Sequence, residues 1–418
     1  MDALRIRGER KLTGEWTVHN AKNAVLPIMA ASILGEGETV LENCPQLSDI
    51  SFMGEILGTL GCKVRLDQGN LRIEPAGLCG HEMPEELAKK IRSSIFLLGP
   101  ILARFHKAKV TLPGGCEIGL RPIDLHLSGL RQLGVRITDE GGMIYCDGQH
   151  MRASAVHFDY PSVGATENVM MAAAMLKGDT LLHNVAREPE IVDLQNYMNR
   201  MGAQITGAGT NTILVHGVSR LRGVHYRPMP DRIVAGTLLA AAAITGGSVT
   251  LRNTPTKDMY AVAAKLREMG CTLQESDSLI SLQAPRRLNP FAQLQTQPHP
   301  GFPTDMQVQM LAIATLAKGT SVVVENVFEN RFTHAGDLNR MGANVLINGR
   351  TAVVRGVETL YGAHVTARDL RGGAALAIAG LAARGETIVE HAELIDRGYE
   401  RLEDVLSLLG AEAERIQL

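Results

Sequence analysis

The chain has 418 residues, 45% of them hydrophobic and 4% aromatic, with 42 Lys+Arg against 44 Asp+Glu and a formal net charge of −2. That length suits two ordinary domains with ample core, and so balanced a charge excludes a bulk electrostatic pull toward nucleic acid or membrane, leaving any anionic ligand to local arginines and lysines. Its cysteines, Cys44, Cys62, Cys79, Cys116, Cys146 and Cys271, show no CxxC pair and no regular spacing, which argues against a zinc site and a disulfide framework.

In chain order, Met1 to Lys11 is charged and lacks an apolar h-region, so no signal peptide is read there. Asn20-Ala-Lys22-Asn23-Ala24 precedes the apolar run Val25 to Ile33, a buried helix by its pattern. A lysine at such an entry can hold an anion together with helix N–H groups, or can simply be solvated. Leu57-Gly-Thr-Leu-Gly61 ends a helix, and the alternation in Lys63-Val-Arg-Leu and Leu71-Arg-Ile-Glu predicts strands.

The sharpest local signal is Pro113-Gly-Gly-Cys116-Glu-Ile-Gly-Leu-Arg121-Pro122-Ile123-Asp124-Leu125-His126. Its glycines and proline mark a loop, and Pro122 suits the first turn of a helix carrying Leu127, Leu130 and Leu133. Cys116 is placed to be a thiol of lowered pKa near an arginine and a helix start, or else is a small hydrophobe in an ordinary loop. Ser162-Val163-Gly164-Ala165-Thr166 is a small-residue turn into a helix that can offer backbone N–H groups to phosphate.

The Ala-rich stretches Met170 to Leu176, Leu238 to Ile244 and Ala374 to Ala383 are apolar all round and predict buried helices. The longest apolar run, Ala235 to Ile244, is too short to span a bilayer, so a cytoplasmic protein without membrane insertion is expected. Pro298-His-Pro-Gly-Phe-Pro303-Thr-Asp305 is stiffened by its prolines and rigidly aims the helical segment beyond it, and Asp305 reads either as a helix cap or as a functional carboxylate. In Leu394-Ile-Asp396-Arg397-Gly398-Tyr399, an arginine beside glycine allows close ligand approach, with a helix-surface ion pair as the alternative. No GxGxxG, GxxxxGK(S/T) or HExxH is present, so nicotinamide, P-loop and zincin readings have no support.

The chain also repeats itself. A Leu-x-x-(Leu/Met)-Gly step ends at Gly61, Gly134, Gly270, Gly342 and Gly410, and Met201-Gly202 supplies the remaining copy, at intervals of 68 to 73 residues. Between copies lies an Ala-rich helix, a glycine turn and a β-branched strand ending in Asn, as at Asn184, Asn253 and Asn326. The expectation is an α/β protein of two domains, three units each, with helices buried inside sheets rather than a one-dimensional solenoid.

Taken together, these segments resemble the UDP-N-acetylglucosamine enolpyruvyl transferases. The resemblance runs over essentially the whole chain, through Lys22-Asn23, Arg92-Ser-Ser-Ile, Pro113-Gly-Gly-Cys116, Arg121-Pro-Ile-Asp-Leu125, Ser162-Val-Gly-Ala-Thr166, Arg187-Glu-Pro-Glu-Ile-Val-Asp193, Pro230-Asp-Arg232, Phe302-Pro-Thr-Asp305, Phe328-Glu-Asn-Arg331, Asp369-Leu-Arg371 and Asp396-Arg-Gly-Tyr-Glu-Arg401. It implies two inside-out α/β barrel domains, 22–229 and 1–21 plus 230–418, with the active site in the interdomain cleft.

The implied activity moves the enolpyruvyl group of phosphoenolpyruvate to the 3-hydroxyl of UDP-N-acetylglucosamine, without metal or organic cofactor, as the first committed step of peptidoglycan synthesis. Lys22, Arg121 and Arg397, with Arg371 beside them, match phosphoenolpyruvate-binding positions. Asp305 matches the proposed base, expected in a dry site, and Cys116 the thiol that fosfomycin alkylates. Asn23, Arg92, Arg121, Pro122, Ile123, Asp124, Leu125, Ser162, Val163, Gly164 and Val327 match positions around the sugar nucleotide. One departure is Tyr160, followed by Pro161, where the family usually carries a lysine near the nucleotide; altered affinity for the sugar nucleotide is implied. The same fold serves the shikimate-pathway enolpyruvyl transferases, which need no loop cysteine.

Overall fold

A computed structural model describes residues 1–112, 114 and 123–418. Its contacts fall into two compact units, one of Met1–His19 and Pro230–Leu418, the other of the described residues between 20 and 229. Asn20 and Ala21 belong to the latter: Ala21 N donates to Met229 O at 2.8 Å and Asn20 Nδ2 to Glu42 O at 2.6 Å.

Helices form the centre of each unit. In 20–229 they are α1 (Lys22–Ser32), α2 (Leu98–Phe105), entered through the 3-10 turn Arg92–Leu97, and α3 (Val163–Ala173). In 230–418 they are α4 (Arg232–Ile244), α5 (Thr304–Ala314) and α6 (Leu370–Ala382), each packed on the other two. Every residue of α4 is buried, as its lack of a polar face requires. Small residues let these helices approach closely: a Cβ on Gly236 of α4 would stand 2.8 Å from Met306 of α5. The buried helices expected from the Ala-rich stretches are therefore present, and they lie inside.

Sheets surround them. The copy at 155–216 shows the plan: Ala155–His157 runs parallel to Asp179–His183 through the crossover helix α3, and the amphipathic helix Pro189–Met201 then leads to the hairpin Gln204–Thr206/Thr212–His216. A parallel pair needs such a crossover, whereas the antiparallel pair closes locally. Among the described residues there are six sheets, five of four strands and one of three. In the three-stranded one, Lys107–Thr111 takes only a single parallel bridge, Glu82 with Lys109, where its counterparts have a strand.

The N-terminal residues complete two sheets of the 230–418 unit. Asp2–Arg7 pairs antiparallel with both Glu386–Glu390 and Glu412–Gln417, with Ala3 opposite Glu390 and Ile416, and Thr13–Thr17 pairs parallel with Ser248–Arg252. The repeat glycines Gly61, Gly134, Gly202, Gly270, Gly342 and Gly410 all have φ between 93° and 112°, the left-handed conformation that ends a helix at least cost without a Cβ. The repeat asparagines share a task too. Asn184 Nδ2 donates to Phe158 O at 2.7 Å, Asn253 to Val18 O at 2.7 Å and Asn326 to Thr296 O at 3.1 Å. Each ties the end of a central strand to the end of its parallel neighbour, at the edge where a core helix begins.

Candidate active site

Several of the predicted site residues, Lys22, Ser162, Val163, Gly164, Asp305 and Arg371, lie at the N-terminal ends of the core helices, where the helix dipole favours anions. Cys116, Arg121 and Pro122 lie outside the described residues.

In the 20–229 unit, Lys22 opens α1 and is 8% exposed, its Nζ 2.8 Å from Oδ2 of the more deeply buried Asp49. The plain solvated reading of this lysine is thus set aside, since a buried ammonium must be paired. Asn23, beside it, is exposed. A second cluster joins three elements. Arg92 begins the 3-10 turn, half-buried, and burial lowers its pKa from the ordinary guanidinium value. Ser162 caps α3, its hydroxyl accepting from Ala165 N at 3.4 Å, with Val163 and Gly164 half-buried on the first turn. Helix Asp124–Gln132 adds exposed Asp124 and half-buried Leu125 after buried Ile123.

His126 fastens these elements together. A Cβ on Gly164 would stand 2.9 Å from its Cε1 and 3.1 Å from Phe96 Cε1, so only glycine allows that approach. Burial, with the charge of Arg92 second, pushes its pKa down to about 3. The ring is therefore neutral and accepts at Nδ1 from Asn168 Nδ2, 2.8 Å away. Asn168 spends its other bonds on Ile95 O at 2.7 Å and Gly99 N at 2.6 Å. The result is a neutral cluster of hydroxyl, amide and imidazole near one arginine.

In the 230–418 unit the site is ionic. Asp231 and Asp369 cap α4 and α6, accepting from Ile233 N and Val234 N, and from Arg371 N and Gly372 N. Asp305 does not cap α5: Pro303 holds that position, and the carboxylate points elsewhere. Its Oδ1 accepts from Arg331 Nη2 at 2.9 Å and its Oδ2 from Arg371 Nη2 at 3.2 Å. The arginine side chains are 1% and 2% exposed and the aspartate 26%, so the carboxylate is ion-paired and partly exposed. Burial works against the charge on Arg371, but Tyr399, Asp305 and Asp231 outweigh it and raise its pKa.

Val327 lies in a turn organised by Glu325, 1% exposed, whose Oε1 accepts from Thr296 Oγ1 at 2.8 Å, Val327 N at 2.8 Å and Phe328 N at 3.1 Å, while Oε2 accepts from Thr304 Oγ1 at 3.0 Å. Arg397, half-buried, ends the 3-10 turn Ala392–Arg397. Its neighbour Asp396 is gripped by Arg415 at 2.6 and 2.8 Å.

A model of the family described as EPSP synthase (3-phosphoshikimate 1-carboxyvinyltransferase) matches residues 6–406. A UDP-N-acetylglucosamine 1-carboxyvinyltransferase of Caldanaerobacter subterraneus subsp. tengcongensis is 49% identical over 416 residues, covering 100% of both chains. The chain belongs to the carboxyvinyl (enolpyruvyl) transferase family. Further relatives of the same name, from Symbiobacterium thermophilum and Myxococcus xanthus, are 50% and 47% identical, covering 98% and 99% of this chain and 94% and 99% of theirs. In fold the chain is similar to the enolpyruvyl transferase NikO from Streptomyces tendae, with a TM-score of 0.90 at 23% identity over 99% of this chain and 98% of that one. EPSP synthase from Acinetobacter baumannii gives a TM-score of 0.76 at 17% identity over 100% of both chains. The inside-out α/β architecture is that of an enolpyruvyl transferase.

Sequence reasoning missed Asp49, Glu325 and the role of Arg331. Arg331 stood in a recognised motif, but nothing local says that an arginine in a turn will be buried against Asp305. For Asp49 the signal was faint: an acid in the first turn of Ser48–Thr59, where a bland dipole explanation suffices.

Among the described residues no group of three or more His, Cys, Asp or Glu side chains is placed to hold a metal, and no helix is long and apolar enough to cross a membrane. The buried thiols Cys44, Cys146 and Cys271 are pushed up to about 12 and Cys62 to about 11 by burial, which disarms them as nucleophiles.

Proposed function

We infer that this enzyme transfers the enolpyruvyl group of phosphoenolpyruvate to the 3-hydroxyl of UDP-N-acetylglucosamine, releasing phosphate, in the cytoplasm and at the entry to peptidoglycan synthesis. The observation that carries this is full-length identity of 45–50% to relatives bearing that activity in their names. Asp305, held between two arginines, adds a carboxylate suited to take the hydroxyl proton.

The reaction adds the sugar oxygen to the enol carbon while the methylene gains a proton, giving a tetrahedral ketal. Loss of a methyl proton with departure of phosphate then restores the double bond. Asp305 acts as the base of the first step, and Arg331 and Arg371 fix its orientation. Lys22, Arg121, Arg371 and Arg397 bind the phosphate and carboxylate of phosphoenolpyruvate, guanidinium forks suiting planar oxyanions. Cys116 supplies the thiol at the methylene carbon. Asn23, Arg92, Ile123, Asp124, Leu125, Ser162, Val163, Gly164 and Val327 hold the sugar nucleotide.

The test is phosphate release from phosphoenolpyruvate with UDP-N-acetylglucosamine, for wild type and Cys116→Ser. Sugar-dependent release impaired by the substitution supports reaction and residue. Release with shikimate 3-phosphate instead would transfer the reading to the other acceptor.

A further inference from the structure

We propose that Tyr399 is a positioning residue for the oxyanion-binding arginines, locked in place by a buried hydroxyl–amide triad with Thr237 and Gln309. The proposal rests on the functional reading in which Arg371 and Arg397 hold phosphoenolpyruvate.

Tyr399 is 2% exposed and plugs the space where the three core helices of the 230–418 unit meet. Thr237, on α4, donates its hydroxyl proton to Ile233 O at 2.8 Å. It must therefore accept from Tyr399 Oη, 3.0 Å away. Gln309, on α5, donates from Nε2 to both oxygens, at 3.0 Å to Thr237 and 3.1 Å to Tyr399. The phenol proton has one destination, so the ring has one orientation. Gln309 Oε1 stays buried without a partner, so the hold on the ring comes from the hydroxyls and Nε2.

That ring is the floor under Arg371, whose Cζ lies 5.3 Å from the ring centroid. A desolvated guanidinium over an aromatic face is attracted to it. Asp305 pins one end of the guanidinium and the ring packs against it, so the fork is supported on two sides before substrate arrives. Tyr399 also anchors the backbone two residues after Arg397. Between them Gly398 packs against α6, since a Cβ there would stand 2.3 Å from Leu370 Cδ1. One buried side chain thus holds an arginine on α6 and the segment carrying another. Buried as it is, Tyr399 acts through these arginines and not on substrate.

The experiment is steady-state phosphate release by full-length wild type, Tyr399→Phe, Tyr399→Leu, Thr237→Ser and Thr237→Val, with each substrate varied in turn. Tyr399→Leu removes ring and hydroxyl and is expected to lower kcat/KM for phosphoenolpyruvate about 100-fold, the effect of an ångström of misplacement. Tyr399→Phe and Thr237→Val keep the core filled and are expected to raise KM for phosphoenolpyruvate about tenfold or less by loosening the ring, while Thr237→Ser restores wild-type values. KM for UDP-N-acetylglucosamine stays unchanged throughout. Wild-type KM for phosphoenolpyruvate in all the variants, or equal losses toward both substrates in step with lowered thermal stability, would overturn the positioning role. A wild type that turns over neither acceptor would overturn the functional reading and the proposal with it.

Discussion

The helix starts of the two units solve one problem, satisfying N–H groups at the positive end of a helix dipole, with different chemistry. In the 20–229 unit the second cluster is largely neutral: Ser162 caps with a hydroxyl, Asn168 spans two elements, and His126 is held uncharged. In the 230–418 unit every core helix starts with a carboxylate, and the buried Arg331 binds Asp305 and Asp369 to one another while Arg371 also holds Asp305. The neutral cluster suits selective hydrogen bonding to a sugar nucleotide. The ionic cage suits a reaction that moves protons and phosphate, because its charges are aimed and its arginines buried beforehand.

The sharpest way to break this comparison is Asp305→Asn, which keeps shape but removes the charge that accepts a proton. Turnover is expected to fall about 100- to 10,000-fold with the fold intact, measured by phosphate release and far-ultraviolet circular dichroism. Arg331→Met should cost about 3–5 kcal/mol of stability in urea unfolding, because it leaves Asp305 and Asp369 short of a buried partner. Stability unchanged by this substitution would show that the cage is not held by its charges.

The neutral side is tested by pH. The folded pKa of His126, about 3, lies below its ordinary 6.5, so the folded state binds fewer protons between these values. Its stabilising contribution is therefore full above pH 6.5 and is lost as pH falls. Moving from pH 7 to pH 5 should cost about 2 kcal/mol through this residue. His126→Gln should remove that part of the slope in parallel melts at the two pH values.

Capping offers a finer contrast. Ser162→Ala is expected to cost about 1 kcal/mol and Asp369→Ala about 2 kcal/mol, since the latter also strips charge from the cage. The smallest effect belongs to Tyr160, 44% exposed, at the position where resemblance calls for lysine. Tyr160→Lys should lower KM for UDP-N-acetylglucosamine about threefold, the scale of a surface ion pair. An unchanged KM would show that the tyrosine serves as well.

Much of the fold was legible because its signals are local. The glycine that ends each repeat needs a left-handed backbone wherever it stands, and an all-apolar helix must be buried in any fold. Asp305 shows where this reasoning stops. An aspartate near a helix start reads first as a cap, and only a difference of two residues in where α5 begins turns it toward arginines far along the chain. The resemblance picked out Asp305, Arg371 and Arg397 as functional, but it was silent on Arg331 as a clamp and on Tyr399 as a support.

By itself, then, the amino-acid sequence determined the sixfold repeat, the buried helices, the strand hairpins and the set of reactive residue types, since each arises from the conformational preference or hydropathy of neighbours. Tertiary structure alone decided which charges meet: Lys22 with Asp49, Asp305 with Arg331 and Arg371, and Asp396 with Arg415. Such pairs join residues from separate repeats or elements. Their energies depend on burial and distance, quantities that exist only once the chain has folded.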